Sequence, residues 1–167
     1  VLDSTGNVVW LKYLDNMIDQ TSSPVLGDVD GDGYLEVILT EGAAAYGKQS
    51  VRKIHIWKKD GSYLTGWPKT FAFNMGHSPA LADFDNDGDL EIVVVTSLAD
   101  VYVFGYSGDL MAGWPKSLSS DETQKESGYG IPCYNPVVAD VDADGELEIL
   151  TAVYKNYDLY GYLVELH

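Results

Sequence analysis

The feature that most constrains this fold is an acidic nine-residue stretch that occurs three times at nearly constant spacing. The copies read DVDGDGYLE, DFDNDGDLE and DVDADGELE, and they begin at Asp28, Asp83 and Asp140. The copies are therefore 55 and then 57 residues apart. A fixed period of this size is typical of repeat architectures, in which each repeat is one supersecondary unit. The sequence thus predicts a series of similar units.

A second block repeats between the acidic stretches. IHIWKKDGSYLTGWPK at 54–69 matches VYVFGYSGDLMAGWPK at 101–116, and VLDSTGNVVWLK at 1–12 is a weaker copy. The final residues, GYLVELH, resemble the beginning of the same block. We therefore predict one segment covering 1–167, with repeat units at about 22–76, 77–133 and 134–167, the last completed by a strand equivalent to 1–12.

Each unit reads as four short strands. In the first unit these are Pro24–Asp28, Glu36–Thr40, Lys53–Trp57 and a strand that carries Trp67. Their copies are Glu91–Thr96 and Glu148–Val153 for the second strand, Val101–Phe104 and Tyr162–Leu166 for the third, and a strand with Trp114 for the fourth. Asp60-Gly61 and Ser107-Gly108 predict hairpin turns between the third and fourth strands. Because no helical periodicity interrupts this pattern, the chain is predicted to be all-β.

Four antiparallel strands in a repeat of this length indicate a β-propeller blade. Three blades are fewer than the roughly 4–8 that close a ring. We therefore expect the chain to be part of a larger propeller, or to be completed by further copies of itself.

The acidic stretches are predicted to bind metal. In every copy Asp occupies positions 1, 3 and 5, Gly position 6 and Glu position 9. Glycine at 6 allows a turn with positive φ, so that the carboxylates and the carbonyl at 7 face one centre. Ca²⁺ prefers 6–8 such hard oxygen ligands. The predicted ligands of about three Ca²⁺ ions are Asp28, Asp30, Asp32, the Tyr34 carbonyl and Glu36; Asp83, Asp85, Asp87, the Asp89 carbonyl and Glu91; and Asp140, Asp142, Asp144, the Glu146 carbonyl and Glu148.

Other interpretations of these loops explain less. An EF-hand needs an acid at position 12 and flanking helices, but position 12 is Leu39, Val94 or Thr151. Mg²⁺ prefers a smaller octahedral shell, and Zn²⁺ prefers His or Cys. Plain Asp-Gly turns, or a solvated acidic surface, would not require acids at 1, 3 and 9 three times over.

Composition excludes some partners. The net charge of −16 disfavours nucleic acid and a bare anionic membrane surface, because both require a basic patch. No apolar run is long enough for a membrane helix. Cys133 is the only cysteine, so an internal disulfide is excluded, and it is expected to be a small buried residue.

The chain resembles the FG-GAP or VCBS repeats of integrin-like β-propellers. The resemblance rests on the three acidic stretches and on the DG…GWPK block, and it covers nearly the whole chain. It implies that each loop joins the first two strands of a blade and binds Ca²⁺. Glu stands at position 9, where the family often has Asp, and no Phe-Gly pair precedes the loops, which favours the VCBS-like branch.

The strand directions place the acidic loops and the hairpins on one face, and the longer connections on the opposite, long-loop face. The extra length lies in 41–50 and 117–130, and YKNYD at 154–158 falls on the same face. Long loops on a rigid scaffold often carry recognition. Candidate contacts to a protein or carbohydrate ligand are Tyr46, Tyr129, Tyr154 and Tyr157. Trp67 and Trp114 are expected to be packing anchors between blades, and His55 to be structural or exposed.

The sequence therefore predicts a calcium-binding propeller module of an extracellular or cell-surface protein. Its expected role is adhesion, recognition or structural display, without catalysis. A propeller-type polysaccharide lyase, an accessory domain of a carbohydrate-active enzyme and a subunit of an extracellular filament remain alternatives.

Overall fold

The computed structural model describes residues 1–14, 22–42, 52–71, 75, 77–118, 134–155 and 158–164, with side chains as far as residue 152. These residues form three antiparallel sheets. The first contains β1 (Val25–Gly27), β2 (Glu36–Glu41), β3 (Lys53–Trp57) and β4 (Lys69–Thr70). The second contains β5 (Ala80–Ala82), β6 (Glu91–Val95), β7 (Asp100–Phe104) and β8 (Lys116–Ser117). The third contains β9 (Val137–Ala139), β10 (Glu148–Lys155) and β11 (Asp158–Val164).

The prediction of an all-β chain is confirmed for the described residues, which include no helix. In the two complete sheets, each strand pairs with the next in the chain, as expected for a blade-like meander. The described residues form three separate sheets and no closed ring. Nor do they include a helix that is long and apolar enough to cross a membrane.

Two predicted boundaries are wrong. The fourth strands do not carry the tryptophans, because β4 and β8 begin after Trp67-Pro68 and Trp114-Pro115. Proline cannot donate to the β-ladder, which explains why each strand begins beyond it. The predicted loop 154–158 is mostly strand, since Tyr154 pairs with Leu159 and Lys155 pairs with Asp158.

The hairpin turns occur where the Asp-Gly and Ser-Gly pairs predict them. The Lys58 amide donates to the Ser62 carbonyl at 2.8 Å, and Gly61 has a φ of +82°. In the second unit the Gly105 amide donates to the Asp109 carbonyl at 3.0 Å. Lys58 and Gly105 therefore occupy equivalent positions, directly after the third strand of their sheets.

The core lies between neighbouring sheets. Alternate side chains of a strand point to opposite faces, so each sheet can pack on both sides. One apolar cluster includes Ile38, Ile54 and Ile56 of the first sheet together with Ile92 and Phe104 of the second. A second cluster joins Val93, Val95, Val101 and Val103 to Ile149 of the third sheet. All five residues of β6 are buried because this strand is covered on both faces.

Two tryptophans, Trp10 and Trp67, each contact the hairpin of the following unit. The Trp67 indole N–H donates to the Tyr106 carbonyl at 2.7 Å, and its ring meets Phe104 edge-on. Trp10 donates in the same way to the Lys59 carbonyl, at 3.0 Å. The expected anchoring role of Trp67 is therefore confirmed, and Trp10 shows that 1–12 does act as a copy of the repeat. Trp114 is half-buried against the second cluster.

Candidate metal centres

The three acidic loops occupy equivalent places, each joining the first and second strands of its sheet. The first two loops also contact each other, because the Leu90 amide donates to the Val29 carbonyl at 3.3 Å. Sheet packing therefore places the carboxylate-rich loops side by side on one edge of the molecule, as the strand directions predict.

The aspartate at position 1 shapes its loop by accepting the amide of the glycine at position 6. This hydrogen bond joins Gly33 to Asp28 at 2.9 Å, Gly88 to Asp83 at 3.1 Å and Gly145 to Asp140 at 3.0 Å. The three glycines have φ values of +88°, +97° and +96°, a region that side chains other than glycine rarely adopt. The predicted need for glycine at position 6 is therefore confirmed.

The glutamate at position 9 closes the loop from the opposite side. One carboxylate oxygen accepts the amide of the residue at position 2: Val29 to Glu36 at 3.1 Å, Phe84 to Glu91 at 2.8 Å and Val141 to Glu148 at 2.8 Å. The three glutamates are only 1%, 4% and 2% exposed. Each therefore carries a carboxylate into the base of its loop, where water has little access.

The clustered carboxylates have the spacing of a single cation site. One oxygen from each of three residues lies within 4.8 Å of the others in every loop. Ca²⁺–oxygen distances are ~2.3–2.6 Å, so two ligands of one ion lie at most about 5 Å apart. The sets are Asp28, Asp30 and Asp32; Asp83, Asp85 and Glu91; and Asp140, Asp142 and Glu148.

The first loop also contains buried oxygens that lack a hydrogen-bond partner. They are Asp28 Oδ1, Asp30 Oδ1 and Glu36 Oε1. A buried acceptor without a partner costs free energy, and the cost rises when the group is charged. A divalent cation would satisfy acceptors of this kind, and hard carboxylate oxygens are the donors that Ca²⁺ prefers. The residues present therefore fit a bound Ca²⁺ ion.

The electrostatics of the loops agree with this fit. Burial raises the pKa of Glu36, and the nearby charges of Asp30 and Asp32 raise it further. Burial likewise raises the pKa of Glu91, with further increases from Asp85 and Asp87. Without an added positive charge, the ionised form of each glutamate is disfavoured.

The charges of the first and second loops affect each other. Burial raises the pKa of Asp89, and neighbouring carboxylates that include Asp30 and Asp28 of the first loop raise it further. Asp89 Oδ1 lies so near Gly31 that a Cβ atom built on this glycine would be 2.8 Å away. The two candidate sites are therefore electrostatically coupled.

Sequence reasoning missed a lysine in the first loop. Lys58 Nζ lies 2.9 Å from Asp30 Oδ2 and 3.5 Å from Asp32 Oδ2. The hydrogen bond to Asp30 is the main cause of a raised pKa for Lys58. The available signal was a basic residue directly after the third strand, at a position where the second unit has Gly105.

Position 5 differs among the loops. Its carboxylate accepts the amide at position 7, as in Asp32 with Tyr34, Asp87 with Asp89 and Asp144 with Glu146. Asp32 belongs to the first three-residue set, but Asp87 and Asp144 are outside the corresponding sets. It stays a prediction that the position-5 aspartates bind the ion. The same holds for the backbone carbonyls at position 7, which belong to Tyr34, Asp89 and Glu146.

The ligand contacts on the long-loop face stay predictions. Tyr46, Tyr129 and Tyr157 lie outside the described residues, as does Cys133. The backbone of Tyr154 belongs to β10, but its side chain also lies outside the described part of the chain.

A cleft of about 390 Å³ opens on the face that carries the acidic loops, between the second and third of them. Its lining combines acidic loop residues with apolar side chains from the second sheet: Asp83, Phe84, Asn86, Val103, Met111, Trp114, Gly145, Glu146 and Leu147.

Comparisons with known proteins agree with the repeat pattern. Residues 28–94, which contain the first two acidic loops, match the family model for an FG-GAP-like repeat. Among solved structures, the biofilm matrix protein Bap1 of V. cholerae matches with a TM-score of 0.51 and 20% sequence identity. The match covers 87% of this chain and 25% of that one, so the chain spans about a quarter of its length. The likeness supports the fold alone. No protein with a curated description matches the sequence.

Proposed function

We propose that the chain is a calcium-binding repeat module of an extracellular or cell-surface protein, because residues 28–94 match the model of an FG-GAP-like repeat. The observation that carries this proposal is the first loop, where three carboxylate oxygens are buried without a hydrogen-bond partner. In the same loop, Asp28, Asp30 and Asp32 each have an oxygen within 4.8 Å of the other two. The second and third loops repeat its backbone hydrogen bonds and carboxylate spacing. Three ions are therefore expected, one in each loop.

The residues that would hold each ion are the aspartates at positions 1, 3 and 5, the carbonyl at 7 and the glutamate at 9. Bound Ca²⁺ supplies positive charge and joins oxygens from both ends of a loop. The loops contain 14 of the 26 acidic residues, and three ions would change the net charge from −16 to −10. The expected consequence is a stiffer loop edge and a more stable stack of sheets.

The role that we propose for this module is adhesion, recognition or structural display, without chemistry of its own. Its blades would belong to a propeller completed by other blades of the same protein or by further copies of the chain. The ligand would be a protein or carbohydrate on the long-loop face. Support for an extracellular setting comes from the FG-GAP-like repeat and from the likeness to Bap1, a biofilm matrix protein.

Calcium binding is tested by calorimetric titration of the chain after EDTA treatment, together with thermal unfolding. We expect about three equivalents of Ca²⁺ to bind and the melting temperature to rise with free calcium, because binding to the folded state stabilises it. Mg²⁺ at the same concentration is the control and should raise it less. An unchanged melting temperature in millimolar Ca²⁺, without binding heat, would refute the proposal.

A further inference from the structure

Lys58 distinguishes the first acidic loop from the other two. Its hairpin has the same hydrogen bonds as the second one, so Lys58 and Gly105 are structurally equivalent. At this position the first unit therefore has a positive charge and the second unit has none.

Lys58 shares carboxylates with the candidate ion site. Its ammonium contacts Oδ2 of Asp30 and of Asp32, two of the three residues in the first set. It leaves Asp28 Oδ1, Asp30 Oδ1 and Glu36 Oε1 without a partner, and Glu36 is only 1% exposed. Lys58 therefore neutralises part of the cluster but leaves these three buried oxygens without a partner.

We propose that Lys58 is an internal cation that competes with Ca²⁺ at the first loop and holds that loop together when the ion is absent. The inference rests on the proposed calcium function. A divalent ion entering the first loop must either displace the ammonium from Asp30 and Asp32 or bind beside a like charge, and both lower its affinity. The first loop also contains four acids, whereas the second and third contain five each. The first site is therefore expected to fill last as calcium rises.

The test uses amide signals that report each loop separately. The Gly33, Gly88 and Gly145 amides donate to the position-1 aspartates of the three loops. Heteronuclear NMR then follows a calcium titration of ¹⁵N-labelled protein. For each glycine it yields a midpoint, which is the calcium concentration at which half of the change in the amide signal has occurred. In the unaltered chain we expect the Gly33 midpoint at the highest calcium concentration.

Two variants should move single midpoints in opposite directions. Lys58→Ala should lower the calcium midpoint of Gly33 by roughly three- to tenfold, the range expected for removing one partly exposed charge beside the site. Gly105→Lys should raise the midpoint of Gly88. The Gly105 backbone is outside the positive-φ region, and the nearest atom to an added Cβ is 4.0 Å away, so this side chain can be accommodated.

Lys59→Ala is the matched control, because it removes the same charge from the adjacent residue. Lys59 Nζ lies over the Tyr34 ring, and it forms no ion pair with a carboxylate among the described residues. This variant should move the Gly33 midpoint less than Lys58→Ala does. Equal shifts in the two lysine variants, or an unmoved Gly33 midpoint in Lys58→Ala, would overturn the role of Lys58 while calcium binding stands. If none of the three glycines responds to millimolar Ca²⁺, the proposed function fails instead.

Discussion

The two carboxylate oxygens of Glu36 have different environments. Oε2 accepts the Val29 amide, whereas Oε1 is buried without a partner. The first contact does not require a cation. The second oxygen is stabilised only if a cation is present, so ionised Glu36 should stabilise the calcium-loaded protein and destabilise the calcium-free one.

We therefore predict that Glu36→Gln changes stability with opposite sign in the two conditions. Glutamine can still accept the Val29 amide but carries no charge. In EDTA the free energy of unfolding should rise by about 1 kcal/mol, since a buried unpaired charge is removed. In millimolar Ca²⁺ it should fall by about 1–3 kcal/mol, since binding at the first site is weakened.

Urea unfolding with and without calcium measures this difference. Glu146→Gln is the control, because the Glu146 side chain is exposed and only its carbonyl is a predicted ligand. A loss of stability in both conditions would contradict the prediction that the Glu36 charge is unfavourable without calcium.

The second loop allows a comparison between two aspartates. Asp85 belongs to the second carboxylate set, whereas Asp109 lies in an exposed hairpin and accepts the Ser107 hydroxyl. We predict that Asp85→Ala lowers the calcium-dependent rise in melting temperature, while Asp109→Ala leaves it unchanged. Differential scanning calorimetry in EDTA and in calcium measures both. Equal effects would contradict metal ligation by Asp85.

At the scale of whole elements, each hairpin is the docking partner of a tryptophan from the preceding unit. The Trp67 indole reaches the Tyr106 carbonyl, and Gly66 lies so close to the second hairpin that an added Cβ would be 2.5 Å from the Ser107 carbonyl oxygen. The backbones of the two units thus approach each other at this point, and glycine is required by both space and a φ of +93°.

We predict that Trp67→Phe lowers the free energy of unfolding by about 1–3 kcal/mol, because the Tyr106 carbonyl loses its donor and a small cavity forms. Trp10→Phe removes the equivalent bond at the outer side of the first sheet and should cost less, since Trp10 is more exposed than Trp67. Chemical denaturation measures both. Equal losses would show that the tryptophans contribute through their hairpin bond rather than through burial.

The sequence predicts those elements whose chemistry is local. Alternating aspartates with glycine at position 6 specify the acidic loops, and Asp60-Gly61 specifies its hairpin, because the needed contacts lie within nine residues. Residues brought together by strand pairing are harder to foresee. His55 contacts Glu41 Oε2 at 2.9 Å and the Tyr63 hydroxyl at 3.0 Å. The buried contact between His55 and Glu41 depends on the register between β2 and β3.

Lys58 was missed for the same reason. Its distance from Asp30 is 28 positions in the chain, and only the antiparallel pairing of β2 and β3 brings the two together. The strand boundary at Trp67 was wrong because aromatic residues favour strands in general, whereas here proline and the following unit determine where pairing begins.

The whole molecule has apolar side chains on both of its end faces. At one end, Leu26 and Leu35 of the first unit are 60% and 57% exposed. Their equivalents in the second unit, Leu81 and Leu90, pack against the cluster between the first two sheets. The side chains that bury one sheet against its predecessor are thus present on the first sheet, where they face solvent.

The opposite end has the complementary surface. Val137 and Leu150 of the third unit are 57% and 44% exposed. Their equivalents in the second unit are Ala80, which packs against the second cluster, and Val93, which is buried in it. Two different faces that each match half of an internal interface can associate head to tail, by the contact already present between neighbouring units. This is the geometry that a larger propeller, or a ring made of several copies, would use.

We predict that the 167-residue chain self-associates through these faces and that calcium promotes the association. Apolar patches of this kind favour contact, but a net charge of −16 on every copy opposes it. Bound calcium and added salt both reduce that repulsion, so the average mass from sedimentation velocity should increase with protein concentration, with calcium and with ionic strength.

Leu26→Lys should abolish the increase, whereas Leu110→Lys, at a partly exposed hairpin position away from both end faces, should not. A single monomeric species under all these conditions would contradict completion by further copies and would leave covalently linked blades as the means of covering the two faces.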